Sequence, residues 1–307
     1  VNVFNFVRAE SDGMFAALMG PGGVGTWHHV RTPTPVDDQS VIRMNRDTLY
    51  SSAVVDLRAG AVLRVPEHGD RYMSVMVLTR DHHVTRVIHG PGEHRLEPGD
   101  DHALLLARTL VDPADPADVA AVNALQDGLA VEAGSATPFT MPEYDSESLT
   151  TTRDALLVLA RGMSDASGAF GASGEVDPLR HLLGTAYGWG GLPESEAVYD
   201  TVEPGLPVGR YRIRVGRVPV DGFWSITVYD AGGHFAANDR DVYSVNSVTA
   251  RRDPDGSVTV HLGGCGDGVP NCIPLPEGWN YVVRMYRPHP EVVDGTWSFP
   301  APEALTD

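Results

Sequence analysis

Lysine is absent from the 307-residue sequence, and all 23 of its basic residues are arginine. That absence excludes Schiff-base catalysis, a pyridoxal-phosphate lysine and the lysine of a phosphate-binding loop. Arginine pairs well with carboxylates but accepts protons poorly, so it does not replace a lysine base. Positive charge of any kind is scarce. The 41 acidic residues leave a formal net charge of −18, and no basic run exceeds pairs such as Arg251-Arg252. Neither a nucleic acid nor an anionic membrane surface is an expected partner. No stretch approaches the roughly 18 apolar residues of a membrane span. The opening Val1-Asn2-Val3-Phe4-Asn5 lacks a charged segment followed by an apolar core, so no signal peptide is expected there. No GxSxG elbow occurs and no GxGxxG follows a strand, which argues against an α/β-hydrolase and a nicotinamide-binding fold.

Glycine (33) and proline (23) are abundant, and the 42% hydrophobic and 21% charged fractions are those of a globular protein. The length exceeds the usual size of one core, so two domains are expected. Residues 1–19 have a helical apolar pattern that stops at Gly20-Pro21-Gly22-Gly23. Strand patterns follow at 52–55, 61–65, 72–77 and 104–106. Three helices are expected in the middle of the chain. Asp115-Pro116 and Asp177-Pro178 each supply an N-cap followed by proline at the first helical position, and another helix starts near Ser146 or Ser148. Strands return at Arg210–Val215, Gly222–Asp230 and Asn280–Tyr286. Asp253-Pro254-Asp255-Gly256 is expected to turn a hairpin between 246–250 and 257–262. The pattern predicts a mainly β protein: two β-sandwich or jelly-roll-like domains, 1–135 and 136–307, the second led by a helical connector.

Long motifs resemble one bacterial two-domain family. Val41-Ile42-Arg43-Met44-Asn45-Arg46-Asp47-Thr48-Leu49-Tyr50-Ser51, Arg108-Thr109-Leu110-Val111-Asp112-Pro113 and Leu125-Gln126-Asp127 are similar to its N-terminal part, domain of unknown function 1254. His181-Leu182-Leu183-Gly184-Thr185-Ala186, Gly188-Trp189-Gly190-Gly191 and Pro219-Val220-Asp221-Gly222-Phe223-Trp224-Ser225 resemble its C-terminal part, domain of unknown function 1214. So do Tyr243-Ser244, Trp279-Asn280-Tyr281 and Arg284-Met285-Tyr286-Arg287-Pro288. The resemblance implies two β-rich domains in tandem, often in exported proteins, and no established reaction. Asp81-His82-His83 departs from it, since an aromatic would follow Asp-His.

Several groups could carry chemistry. Asn45-Arg46-Asp47-Thr48-Leu49-Tyr50 packs an amide, a guanidinium, a carboxylate, a hydroxyl and a phenol into six residues. Asp47 is a candidate general base, with Arg46 or Tyr50 binding an oxyanion; the competing reading is a buried polar cluster that pins a strand. His181 is a candidate acid or base near Trp189, or a core histidine bonded to a backbone carbonyl. His83, His89 and His94, with Asp81, would meet on a hairpin turned at 90–93, in a register that puts His83 opposite Asp100. Such a set suits a divalent metal; the competing reading is a solvated hairpin. Trp189, Trp224 and Trp279 could stack on a ligand or belong to the core. Cys265 and Cys272 enclose a tight loop and are expected to form a disulfide, pointing to a periplasmic or secreted protein.

Two functions are consistent with these residues. One is a small-molecule enzyme, hydrolase or lyase/cyclase in type, using acid-base chemistry without an organic cofactor. Its cleft would be lined by Asn45, Arg46, Asp47, Tyr50, His181 and Trp189 at the domain boundary. The other is a non-catalytic carbohydrate- or ligand-binding protein of the cell envelope or exterior.

Overall fold

The computed structural model describes residues 1–39, 42–99, 101–163 and 165–305. The chain forms two units, one of residues 1–31 with 48–194 and one of residues 32–47 with 195–307. Each is a β-sandwich.

In the first unit, five antiparallel strands run in the order His28–His29, Thr48–Asp56, His102–Leu110, Met73–Thr79, Val84–Ile88. A three-stranded sheet runs Gly92–Leu96, Ala61–Val65, Ala130–Ala133. Alternate residues of both sheets meet in one core, where Val55, Val75, Val77 and Leu105 pack with Leu63, Val65 and Leu96. Thr48–Asp56 and His102–Leu110 are buried on nearly every residue. Beside their ends, Leu49 and Val111 pack against Val122 of the helix Pro116–Asp127.

The expected helices form, with the expected caps at Asp115 and Asp177 and a further cap at Asp145. Asp115, Asp145 and Asp177 each accept a backbone N–H of the first turn, and Pro116 and Pro178 begin their helices. They are not a connector to the second sandwich. Helices Ser146–Leu159 and Pro178–Gly188 pack through Leu156 and Leu183 against Phe6 of the helix Phe6–Leu18. Ala130–Ala133 meanwhile completes a sheet with Ala61–Val65. The middle of the chain thus buries its apolar faces within the first unit, and the division falls after Glu194 rather than at 135.

In the second unit, one sheet runs Cys272–Ile273, Val258–Leu262, Tyr211–Val215, Glu303–Ala304. The other runs Ser244–Asn246, Trp224–Tyr229, Asn280–Tyr286, Ala197–Val202. Ile213, Val215, Val260 and Leu262 face Trp224, Ile226, Val228, Val283 and Met285 across the core. The turn at Asp253 closes as expected, with Asp253 N–H donating to Ser257 O and Gly256 N–H to Asp253 O. Its arms do not form a hairpin. Ser244–Asn246 pairs with Trp224–Tyr229, whereas Val258–Leu262 pairs with Tyr211–Val215. Turn residues set a local reversal, but the sheet each arm joins follows from its own apolar face.

Cys265 and Cys272 are disulfide-bonded, with Cα atoms 5.6 Å apart. Reducing this small loop should lower unfolding stability by about 2–3 kcal/mol on the chain-entropy scale. Urea midpoints with and without reductant measure it, and alkylation before reduction should find no free thiol.

Candidate functional site

Two buried polar assemblies stand out, one in each unit. In the second unit the assembly grows from strand alternation. Trp224, Ile226 and Val228 point into the sandwich, so Ser225, Thr227 and Tyr229 point the other way, together with Arg284 and Tyr286 of the paired strand. This outer face is also buried, because Val36, Met44 and Asn45 lie against it. Val36 and Met44 pack there against Tyr229, Phe235, Tyr243 and Val282.

Arg284 is the hub of that face. It donates to Thr227 Oγ1 at 2.9 Å, to the Tyr229 hydroxyl at 2.8 Å and to the Arg43 carbonyl at 2.9 Å. The Tyr229 hydroxyl donates onward to the Met44 carbonyl at 2.7 Å. Asn45 Nδ2 donates to the Tyr286 hydroxyl at 3.0 Å, and Asn45 Oδ1 accepts the Asp47 N–H at 2.6 Å. Arg46 donates to Thr34 O at 2.7 Å and lies 5.1 Å from the Tyr243 ring centroid.

The Asp47 side chain lacks such partners among the described residues. It is wholly buried, and neither carboxylate oxygen makes a hydrogen bond among the described residues. Ser225, Ser244 and Asn246 face it, none in hydrogen-bonding geometry, and the Ser225 hydroxyl is itself buried without a partner. Burial pushes the Asp47 carboxyl above the ordinary aspartate range, against the opposing pull of Arg284 and the facing polar groups.

In the first unit, four rings form a stacked column. Trp189 lies 5.2 Å from His82, His82 lies 5.5 Å from His181, and His181 lies 4.7 Å from His83, measured between centroids. Gly190 N–H donates to His82 Nε2 at 2.8 Å, which leaves His82 Nδ1 as the donor to Thr185 Oγ1 at 2.9 Å. Thr185 then donates to the His181 carbonyl at 2.9 Å. Burial, followed by the neighbouring His181 and His83 rings, holds His82 down at about 3. His83 is lowered by the same two kinds of cause, burial first. Arg108 donates to Gly190 O at 2.6 Å and covers the Tyr50 ring at 5.4 Å, tying Tyr50 to the end of the column.

The structure sorts the sequence candidates. Asn45, Arg46 and Asp47 belong to the second unit; Tyr50, His181 and Trp189 belong to the first. His181 is a core histidine, with Nδ1 2.9 Å from Ala169 O and Nε2 3.0 Å from Asp81 O. Neither ring nitrogen is left for substrate. Trp189 donates to Ser11 Oγ at 3.0 Å and stacks on His82. Trp224 and Trp279 are buried in the second core, against Phe299 and Tyr211, so they offer no stacking platform to a sugar.

The proposed histidine hairpin does not form. Gly92–Leu96 pairs with Ala61–Val65, placing His94 opposite Leu63, while Val84–Ile88 pairs in the other sheet. His89 contacts Met73 O and His94 contacts Gly90 O. The expected partner Asp100 lies outside the described residues. Among the described residues, no three His, Cys, Asp or Glu side chains gather as a metal site. Arg284, Arg108 and His82 were not expected. Arg284 had a signal, a lone cation within Tyr281-Val282-Val283-Arg284-Met285-Tyr286.

The family model described as Protein of unknown function (DUF1254) matches residues 24–99, and Protein of unknown function (DUF1214) matches residues 203–290. The chain belongs to the family that carries these two domains in tandem. The fold agrees with solved structures. The VPA0106 protein of Vibrio parahaemolyticus is 16% identical, with a TM-score of 0.76 over 99% of this chain and 98% of that one. An uncharacterised protein from Burkholderia cenocepacia is 15% identical, with a TM-score of 0.55 over 98% of this chain and 88% of that one. No curated protein matches the chain. Among the described residues of this DUF1254–DUF1214 protein, no helix is long and apolar enough to cross a membrane.

The column carries a pH prediction. His82 takes up protons more readily unfolded, near 6.5, than folded, near 3. Its contribution to stability is therefore complete above 6.5 and is lost as pH falls toward 3. His82→Phe should flatten the fall in Tm on going from pH 7 to pH 5. It should also cost about 1–3 kcal/mol at pH 7, because the Gly190 N–H loses its acceptor. Calorimetry of the two proteins across that range checks both.

Proposed function

We propose that this protein is a small-molecule enzyme of the acid-base kind, hydrolase or lyase/cyclase in type, with Asp47 as its proton-transfer group. One observation carries the proposal: a wholly buried carboxyl without a hydrogen bond, beside a buried guanidinium. Buried polar groups kept only for structure are normally hydrogen-bonded, as Arg284, Tyr229, Asn45 and Arg46 are here. A carboxyl raised by burial is how a protein keeps a proton donor at neutral pH. Arg284 supports the reading as a fixed cation whose position needs no reorganisation when an oxyanion develops. Acid-base chemistry of this type uses no organic cofactor. The Cys265–Cys272 disulfide supports a periplasmic or secreted location.

The test is spectroscopic first. Wild-type protein at pH 7 should show the infrared carbonyl band of a protonated carboxyl, and Asp47→Asn should remove it. An Asp47 that is ionised at pH 7 sinks the proposal. Turnover found on a panel of β-hydroxycarbonyl compounds should fall in the variant by about 10²–10⁴-fold. The fold should survive. A raised carboxyl stabilises fully below the ordinary aspartate range of about 3.9 and loses that contribution as pH climbs through its folded value. Asp47→Asn should therefore gain Tm relative to wild type as pH rises, with no gain below about pH 4.

A further inference from the structure

We infer that Ser51 and His29 form a nucleophile–base pair in the first unit, a second reactive site suited to small carboxylic esters. It lies outside the Asp47 assembly and does not depend on the reading of that carboxyl.

Strand pairing creates the dyad. His28–His29 runs antiparallel to Thr48–Asp56 with His29 opposite Ser51, so both side chains leave the same face of the sheet. His29 Nδ1 lies 2.8 Å from Ser51 Oγ, within the reach that a serine and its base require. The register is clamped on both strands. Gln126 donates to Val30 O at 3.0 Å and to Tyr50 O at 3.1 Å, and Val30 N–H donates to Tyr50 O at 2.9 Å.

The surroundings supply what a dyad needs. Burial, then the neighbouring Arg31, lowers the His29 imidazole, while Asp127 opposes them, so the ring is neutral and able to accept a proton at neutral pH. Arg31 in turn binds Asp127 at 2.5 Å. Trp27 stacks on His29 at 6.3 Å with an interplanar angle of 11°. The Trp27 indole Nε1–H is buried and has no hydrogen-bond partner among the described residues. An unpaired buried donor is costly unless something arrives to accept from it.

The chemistry balances within the site. With Nε2 protonated, His29 Nδ1 takes the Ser51 proton as Oγ bonds to the ester carbonyl carbon. The ester C–O bond then breaks, and the leaving alcohol receives that proton. Water attacks the acyl-serine, His29 takes the water proton and returns it to Ser51, and the carboxylic acid departs.

A fluorophosphonate and p-nitrophenyl acetate are the probes. Intact mass should show one phosphonyl adduct on the wild-type chain, mapped to Ser51 by peptide sequencing. Ser51→Ala should take none while keeping its Tm. His29→Gln should label at least about 10²-fold more slowly, the lower end of a general base's usual contribution. Ser51→Cys gives a second route, because the chain's two cysteines are bonded to each other. Its single thiol should react with iodoacetamide faster when His29 is present than in the double variant with His29→Gln. An unlabelled wild-type chain, an adduct on another residue, or a Ser51→Cys thiol indifferent to His29 overturns the proposal.

Discussion

Arg284 is the constraint around which the second unit is arranged. A guanidinium does not give up its proton inside a protein, so burying one commits its surroundings to supply oxygen acceptors. Two come from the neighbouring strand, as Thr227 and Tyr229, and the third is the carbonyl of Arg43. That third contact explains why residues 32–47 lie on a sheet formed by residues far along the chain. Arg43 pays for it locally, holding a left-handed backbone (φ 55°) that favours glycine, with its N–H bonded to Gly233 O. The Tyr229 hydroxyl, oriented by Arg284, holds Met44 in turn.

The first unit meets a similar problem with the opposite solution. It buries imidazoles, which can discard their charge, and keeps His82 neutral through hydrogen bonds that fix its tautomer. Direction runs from Gly190 N–H through His82 and Thr185 to the His181 carbonyl, with each polar atom used once. Arg108 anchors the Gly190 turn from its carbonyl side. The left-handed backbone of His82 (φ 61°) is held by these contacts, which makes Asp81-His82-His83 a structural corner. The departure from the family pattern at His83 makes the outermost ring of the column an imidazole, stacked on His181.

Features with local causes were legible in the sequence. The aspartate caps at 115 and 177, the proline starts after them and the strand Gly222–Asp230 depend on residues a few positions apart, and all are present. The Cys265–Cys272 bond is of the same kind. Partner choice is not local. Gly92–Leu96 could have folded back on Val84–Ile88, but it aligns with Ala61–Val65, where Leu96 joins Leu63 in the core. Assigning 32–47 to the second unit required knowing where Arg284 points, which the alternation of Asn280–Tyr286 implies only once its buried face is known. For the candidate site, Asp47 and Asn45 were visible as an unusual density of polar groups. Their partners Arg284, Tyr229 and Ser225 lie roughly 180–240 positions away, beyond what periodicity can link.

The contrast between Asp47 and its neighbours gives the site its meaning. Removing both partners of a buried pair is nearly neutral, so a polar face there could have been filled with apolar groups. Instead Arg284, Tyr229, Asn45 and Arg46 all have partners. The unpaired oxygens of Asp47 adjoin the unpaired hydroxyl of Ser225. An unpaired buried carboxyl is costlier than the unpaired hydroxyl beside it, and stability alone would favour asparagine or a hydrogen-bonded serine in its place. The cation beside it keeps that carboxyl from being a purely apolar burial, opposing the rise that desolvation imposes. Desolvation is the larger of the two opposing influences, so the net direction is upward and favours the protonated carboxyl.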